Sequence, residues 1–325
     1  MINRRNLMTG MAAAPLMIRG ATAQGGDWVP TRPIRLVVGF AAGGSTDTTG
    51  RLMAQALSAA LPQPAVVENR VGAAGNIATE HVARSAPDGH TLVVASMGSQ
   101  AVNAALYRNL PFDPVKDFTA VSLFVKSANM LVAHPAFPAR TLADLVALAR
   151  ANPGRVNVGT AGAGSSQHFA AALFEHLAQV QLTHINYRGG APAMTDLVAG
   201  RVDIVFSPIV ETVQQIRADQ VRALAITRTQ RAPEFPDVPA VAEVVPGYEF
   251  SSWLGAFAPA GTPPAAVQRM SQALAAGLRD PQIRERVLSL GYEPVGSTPE
   301  EFTAFFAAEM PRVAELVRIS GAKVE

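Results

Sequence analysis

Short β-branched runs alternate with amphipathic stretches along most of the chain. That pattern belongs to an α/β protein with mostly parallel strands. Ile34–Gly39 predicts a strand and Asp47–Ala60 a helix, closed by Leu61-Pro62. Strands are expected at Ala65–Glu68 and Thr91–Ala95, with a helix between them and a Pro87-Asp88-Gly89 turn. Two further strands are expected at Ala120–Phe124 and Met130–His134. A second α/β series follows. Thr141-Leu142-Ala143-Asp144 reads as a capping box opening a helix. Val156–Gly159, Leu182–Asn186, Asp203–Phe206 and Ala223–Thr227 read as strands separated by helices. The proline-rich stretch 229–249 predicts a long ordered loop. Ser252–Ala258 returns as a strand before a helical tail, whose last helix opens at Thr298-Pro299-Glu300-Glu301. Two similar series joined by crossings near 127–131 and 249–254 imply two lobes with a cleft between them.

Length and composition narrow the class. The chain has 325 residues, room for two domains of roughly 150 residues each. Apolar residues make up 49% and charged ones 16%, against a usual ~25%, so disorder is excluded. No apolar run reaches the ~18 residues of a membrane helix. Cysteine is absent, which removes disulfides, thiolate nucleophiles and Cys-ligated metal centres. Lys116, Lys126 and Lys323 are the only lysines, leaving few candidates for Schiff-base chemistry.

Residues 1–23 read as an export signal: Arg4 and Arg5, an apolar stretch from Leu7 to Ile18, and a small-residue cleavage site at Ala21-Thr22-Ala23. The paired arginines also suit a twin-arginine route. Cleavage near Ala23 would deliver the chain to a periplasm. The leader holds three arginines and no acid, so the remainder carries 24 basic and 25 acidic residues. It has no basic run, so nucleic-acid binding is not expected.

The candidate chemistry sits in loops that follow strands. Gly39 to Asp47, GFAAGGSTD, places two glycines and Ser45, Thr46 and Asp47 at a helix start, where free N–H groups attract an anion. The spacing is neither a Walker A loop nor GxGxxG. Gly159 to His168, GTAGAGSSQH, repeats the arrangement with Thr160, Ser165 and Ser166. Its glycine spacing is not the dinucleotide fingerprint either, so no NAD and no other cofactor is expected. Asn186-Tyr187-Arg188-Gly189-Gly190 follows another strand, and Arg188 suits a carboxylate clamp. The six histidines show no HxH, HxxH or HExxH spacing, so no metal site is expected. GAGSS lacks the GxSxG elbow, leaving a hydrolase built on Ser165 or Ser166 without a motif. Trp253 fits either the cleft or the core.

From about Trp28 onward the chain resembles the Bug-type extracytoplasmic solute receptors, the binding proteins of tripartite tricarboxylate transporters. The markers include Arg32-Pro33-Ile34-Arg35, Gly43-Gly44-Ser45-Thr46-Asp47, Val67-Glu68-Asn69-Arg70 and Gly75-Asn76-Ile77. They continue through Tyr187-Arg188-Gly189, Ala258-Pro259-Ala260-Gly261-Thr262-Pro263 and Pro294 to Phe302. The resemblance implies a type II periplasmic binding protein fold: two α/β lobes, 24–127 with 254–325 and 128–253, closing on a cleft. It implies a non-enzymatic monomer that binds a small organic acid and delivers it to membrane permease subunits. A ligand-loaded sensor docking on a signalling ectodomain is the alternative, and an exported serine hydrolase is a lesser one. The implied ligand residues are Phe40, Gly43, Gly44, Ser45, Thr46, Asp47 and Ser96 from one lobe. The other lobe would supply Thr160, Gly164, Ser165, Ser166, His168, Tyr187, Arg188 and Ser207. The chain departs from the usual pattern at Ala42, Ala163 and Ser207-Pro208, and the last two changes imply a less polar distal ligand end.

Overall fold

The computed structural model describes residues 28–323, so the expected export signal lies outside the described residues. Strands β1 (Ile34–Val38), β2 (Ala65–Asn69) and β3 (Thr91–Ser96) run parallel, with β1 in the middle. Helices α1 (Ser45–Ala60) and α2 (Asn76–Ala83) lie in the connections between them. After β3 the chain enters a π-helical turn, Gly98–Val102, continued by the short α3 (Asn103–Leu106).

β4 (Phe118–Ala133) is one strand of 16 residues, where two short strands were expected. The crossing expected near 127–131 lies inside this strand, where the polar Ser127 and Asn129 are buried. Asn129 donates its backbone N–H to Thr227 Oγ1 at 2.8 Å, which satisfies the chain inside the sheet. The second series is α4 (Leu142–Ala151), β5 (Asn157–Thr160), α5 (Ser166–Ala178), β6 (Thr183–Asn186) and α6 (Gly190–Val198). It continues with β7 (Ile204–Pro208), α7 (Ile209–Arg217) and β8 (Arg222–Ile226). The expected capping box at Thr141 is present, with Thr141 Oγ1 accepting from the Asp144 N–H. The return leg is β9 (Ser251–Pro259), α8 (Pro264–Gly277), α9 (Pro281–Ser289), β10 (Tyr292–Pro294) and α10 (Pro299–Ser320).

The strands form one curled sheet in the order β2-β1-β3-β9-β4-β7-β5-β6, with β8 and β10 also paired to β4. The expectation of mostly parallel strands holds only at the two ends. β9 is antiparallel to β3 and β4, and β4 is antiparallel to β7, β8 and β10. Hydrophobic periodicity carries no strand direction, so the sequence could not show this. β4 pairs with β9 and β10 along its first half and with β7 and β8 along its second. Register shifts between Ala120 and Ser122, and between Leu123 and Val125, mark bulges on β4 that add twist.

Trp253 is core. It is fully buried near the start of β9, with Phe302, Phe305 and Phe306 edge-on at 5.7, 6.0 and 5.9 Å between ring centroids. Its indole N–H donates to Glu309 Oε1 at 3.2 Å, and Arg312 pairs with that buried carboxylate. Side chains alternate across a strand, so Ser252 and Leu254 face the opposite side from Trp253.

Candidate functional site

The parallel strands at both ends of the sheet open their carboxyl ends toward a common space, the usual position of ligands in α/β sheets. A cavity of about 380 Å³ lies there. The β1–α1 loop contributes Phe40, Ala41, Gly44, Ser45 and Thr46; the β5–α5 loop contributes Gly164 and Ser166. Ser96, Met97, Gly98 and Val102 follow β3, and Ser252 and Leu254 come from β9. Its size falls within the range of small-molecule pockets. Among the described residues, no charged side chain lines it.

The head of α1 is built for an anion. Gly44 is its N-cap and supplies no side-chain cap. Its first N–H groups therefore meet neither a neighbouring hydroxyl nor a carboxylate in the usual capping role. Asp47 holds the loop from below. It is 1% exposed, and its carboxylate accepts from Gly43 N–H at 2.9 Å and from Asn69 Nδ2 at 2.9 Å. Arg51 closes the arrangement through Nε at 2.9 Å and Nη2 at 3.1 Å. Asn69 also donates to the Phe40 carbonyl at 3.0 Å, tying the loop to β2. Burial alone would raise the Asp47 pKa. The hydrogen bonds from Arg51, Gly43 and Asn69 outweigh it and lower the value from the usual 3.8 to about 2. Asp47 is thus ionised, with its charge balanced by Arg51.

Of the residues expected to bind, the structure brings Phe40, Gly44, Ser45, Thr46, Ser96, Gly164 and Ser166 to the cavity. The others stand behind or beside it. Gly43 and Asp47 brace each other. Thr160 is fully buried, donating to Asn186 Oδ1 at 2.6 Å and accepting the Gly162 N–H at 3.2 Å. Ser165 caps α5 by accepting the His168 N–H. His168 is turned inward, its Nδ1 accepting the Gly164 N–H at 3.0 Å. That ring nitrogen therefore serves the loop backbone and not a serine hydroxyl. Tyr187 donates to Asp196 at 2.8 Å; burial and that bond push its phenol up to about 12. Arg188 is exposed beside the turn and makes no ion pair among the described residues.

Ser207 is fully buried and donates to Glu211 Oε2 at 2.7 Å; Gln167 donates to Ser207 at 3.0 Å and to Glu211 at 3.3 Å. The Ser207-Pro208 change therefore leaves a polar network at the end of β7, supplied by a glutamate one helical turn on. Sequence reasoning missed Ala41, Met97, Gly98, Val102, Ser252 and Leu254. The π-helical turn has no sequence signature, whereas Ser252 and Leu254 were readable from the alternation around Trp253.

A family model described as the tripartite tricarboxylate transporter family receptor matches residues 49–321. Protein BugT of Bordetella pertussis is 35% identical over 301 residues, covering 92% of this chain and 92% of that protein. An R. palustris protein solved with adipate superposes with a TM-score of 0.77 at 35% identity, covering 91% of this chain and 99% of that one. MatC from Rhodopseudomonas palustris, solved with bound malate, gives a TM-score of 0.72 at 35% identity, covering 89% and 99%. These likenesses establish the expected periplasmic solute-binding fold.

Proposed function

Because the chain belongs to the tripartite tricarboxylate transporter receptor family, we propose that it captures one small carboxylate in the cavity at the head of α1 and presents it to the membrane permease subunits of such a transporter. Proteins of this family are periplasmic solute receptors and not enzymes. On this reading the leader is cleaved near Ala23 and the protein acts in the periplasm. Residues 24–127 with 254–325 form one lobe and 128–253 the other, and closure brings the β5–α5 loop down on the ligand.

The observation that carries the ligand class is the uncapped start of α1 facing a cavity that no charged side chain lines among the described residues. The N–H groups and helix dipole there favour a carboxylate. The buried Asp47 does not repel it, because Arg51 balances that charge. The hydroxyls of Ser45, Thr46, Ser96, Ser166 and Ser252 ring the space and suit either direct or water-bridged contacts. Two relatives at 35% identity bind adipate and malate, which favours dicarboxylates of that size.

A thermal-shift screen tests the proposal. Adipate, malate and related carboxylates are compared with neutral diols and amides of the same length. A ligand that binds only the folded state adds about 2.7 kcal/mol at a hundredfold excess over its Kd. A rise in Tm confined to carboxylates is expected. No rise with any carboxylate, or equal rises with the neutral analogues, contradicts the ligand class.

A further inference from the structure

We infer that His168 is a positioning residue: its neutral imidazole holds the β5–α5 loop in binding shape, so solute affinity falls as the medium acidifies. This rests on the receptor reading above. The geometry is a reciprocal brace. Ser165 Oγ accepts the His168 N–H at 3.2 Å, and His168 Nδ1 accepts the Gly164 N–H at 3.0 Å. It resembles a capping box displaced by one residue: the imidazole at the third helical position accepts from the N–H of Gly164, the residue before the N-cap Ser165. Gly164, at φ +77°, lines the ligand cavity beside Ser166. His168 itself is 8% exposed and faces away from that cavity, into a second one of about 490 Å³. It therefore acts through Gly164.

Only a neutral imidazole can accept that N–H, because both nitrogens of the cation are donors. Protonation breaks the Gly164 bond and also places a positive charge at the start of α5, the wrong end for it. The titratable groups lining the second cavity with His168 are Glu175 and His176 on α5 and His184 on β6. From α10, Ile319 and Ser320 reach it and bring no charge. Glu175 is engaged, accepting the Leu182 N–H at 2.6 Å and pairing with His184 Nε2 at 2.6 Å. The His184 ring stands edge-on to His168 at 5.2 Å. Burial, and then His184, hold the His168 imidazole below its usual 6.5, against an upward pull from Glu175. A base held down in this way is neutral in the folded protein. The stability carried by that neutral form is present at neutral pH and is lost as pH falls below the unfolded value of 6.5. A ligand that needs the ordered loop binds the neutral form better, so protons and ligand oppose each other.

Two readouts test this. In the ¹⁵N-labelled protein, the His168 ring nitrogens and the Gly164 amide are followed from about pH 8 to about pH 5. The neutral ring is expected as the Nε2–H tautomer, and the Gly164 amide is expected to shift with the same midpoint as the ring. Adipate affinity is then measured across that range for wild type and His168→Asn, whose side-chain oxygen still accepts from Gly164 but does not titrate. Wild type should lose about fivefold more affinity on acidification than the variant. The variant also removes the ligand's own titration from the comparison. A Gly164 amide indifferent to the ring's protonation, or equal acid losses in both proteins, overturns the inference. Absence of adipate binding at every pH counts against the receptor's ligand class instead, and the amide titration still decides the brace.

Discussion

Replacing Asp47 with alanine is expected to weaken ligand binding about tenfold, the equivalent of ~1.4 kcal/mol. It is also expected to lower stability by about 2 kcal/mol, because Gly43, Asn69 and Arg51 lose a charged hydrogen-bond partner. Asp47 never reaches the cavity, so both effects pass through the loop. The carboxylate is where Gly43, Asn69 and Arg51 converge, and without it the loop that aims the first amides of α1 loses its fixed point. Arg51 is 58% exposed and is resolvated readily, which keeps the cost below that of breaking a fully buried pair. The pH dependence supplies a separate check. The folded value of about 2 lies below the usual 3.8, so the contribution is complete above 3.8 and is lost as pH falls through 2. Denaturant titrations between those limits should show a steeper acid loss in wild type than in Asp47→Ala. Identical acid slopes would mean that the carboxylate is not held as described.

Trp253→Ala is expected to cost about 3–5 kcal/mol of unfolding free energy, the usual range for deleting a buried large aromatic ring. For a chain of this length that corresponds to a fall in Tm of roughly 6 °C. The ring is fully buried and has three phenylalanines of α10 against its edges and face. Its loss opens a cavity between β9 and α10 and removes a donor from the buried Glu309. Trp253→Phe keeps part of the packing and loses only the hydrogen bond with certainty, so its cost should be distinctly smaller. Calorimetry of the two variants gives the ordering. A loss below about 1 kcal/mol for the alanine variant would place Trp253 outside the core.

The glycine loops after β1 and β5 were legible because a strand, a glycine turn and a run of hydroxyls before a helix have a direct physical meaning. They delivered Gly44, Ser45, Thr46, Gly164 and Ser166 to the cavity. Residue type alone did not show which polar side chains turn inward. Asp47 and His168 both stand three residues after an N-cap, from where a side chain reaches back to the loop it leaves. Both were expected to touch ligand; Asp47 instead holds Gly43, next to the lining residue Gly44, and His168 holds Gly164, which lines the cavity. Thr160 and Ser207 end strands and are fully buried in hydrogen bonds to neighbours that only the fold supplies. The long β4 was hidden because the sequence does not show that Thr227 lies beside Asn129 and satisfies its backbone N–H, so that the strand continues through the expected crossing. The three-residue β10 follows a helix too closely to show any periodicity of its own.

The central claim is that a carboxylate sits on the uncapped start of α1. A crystal structure with the tightest-binding carboxylate of the screen tests it most directly. The account predicts a carboxylate oxygen within hydrogen-bond reach, direct or through one water, of the Ser45 or Thr46 amide, with Gly164 and Ser166 on the opposite side of the ligand. A ligand bound outside this cavity, or one whose carboxylate points away from α1, would contradict it.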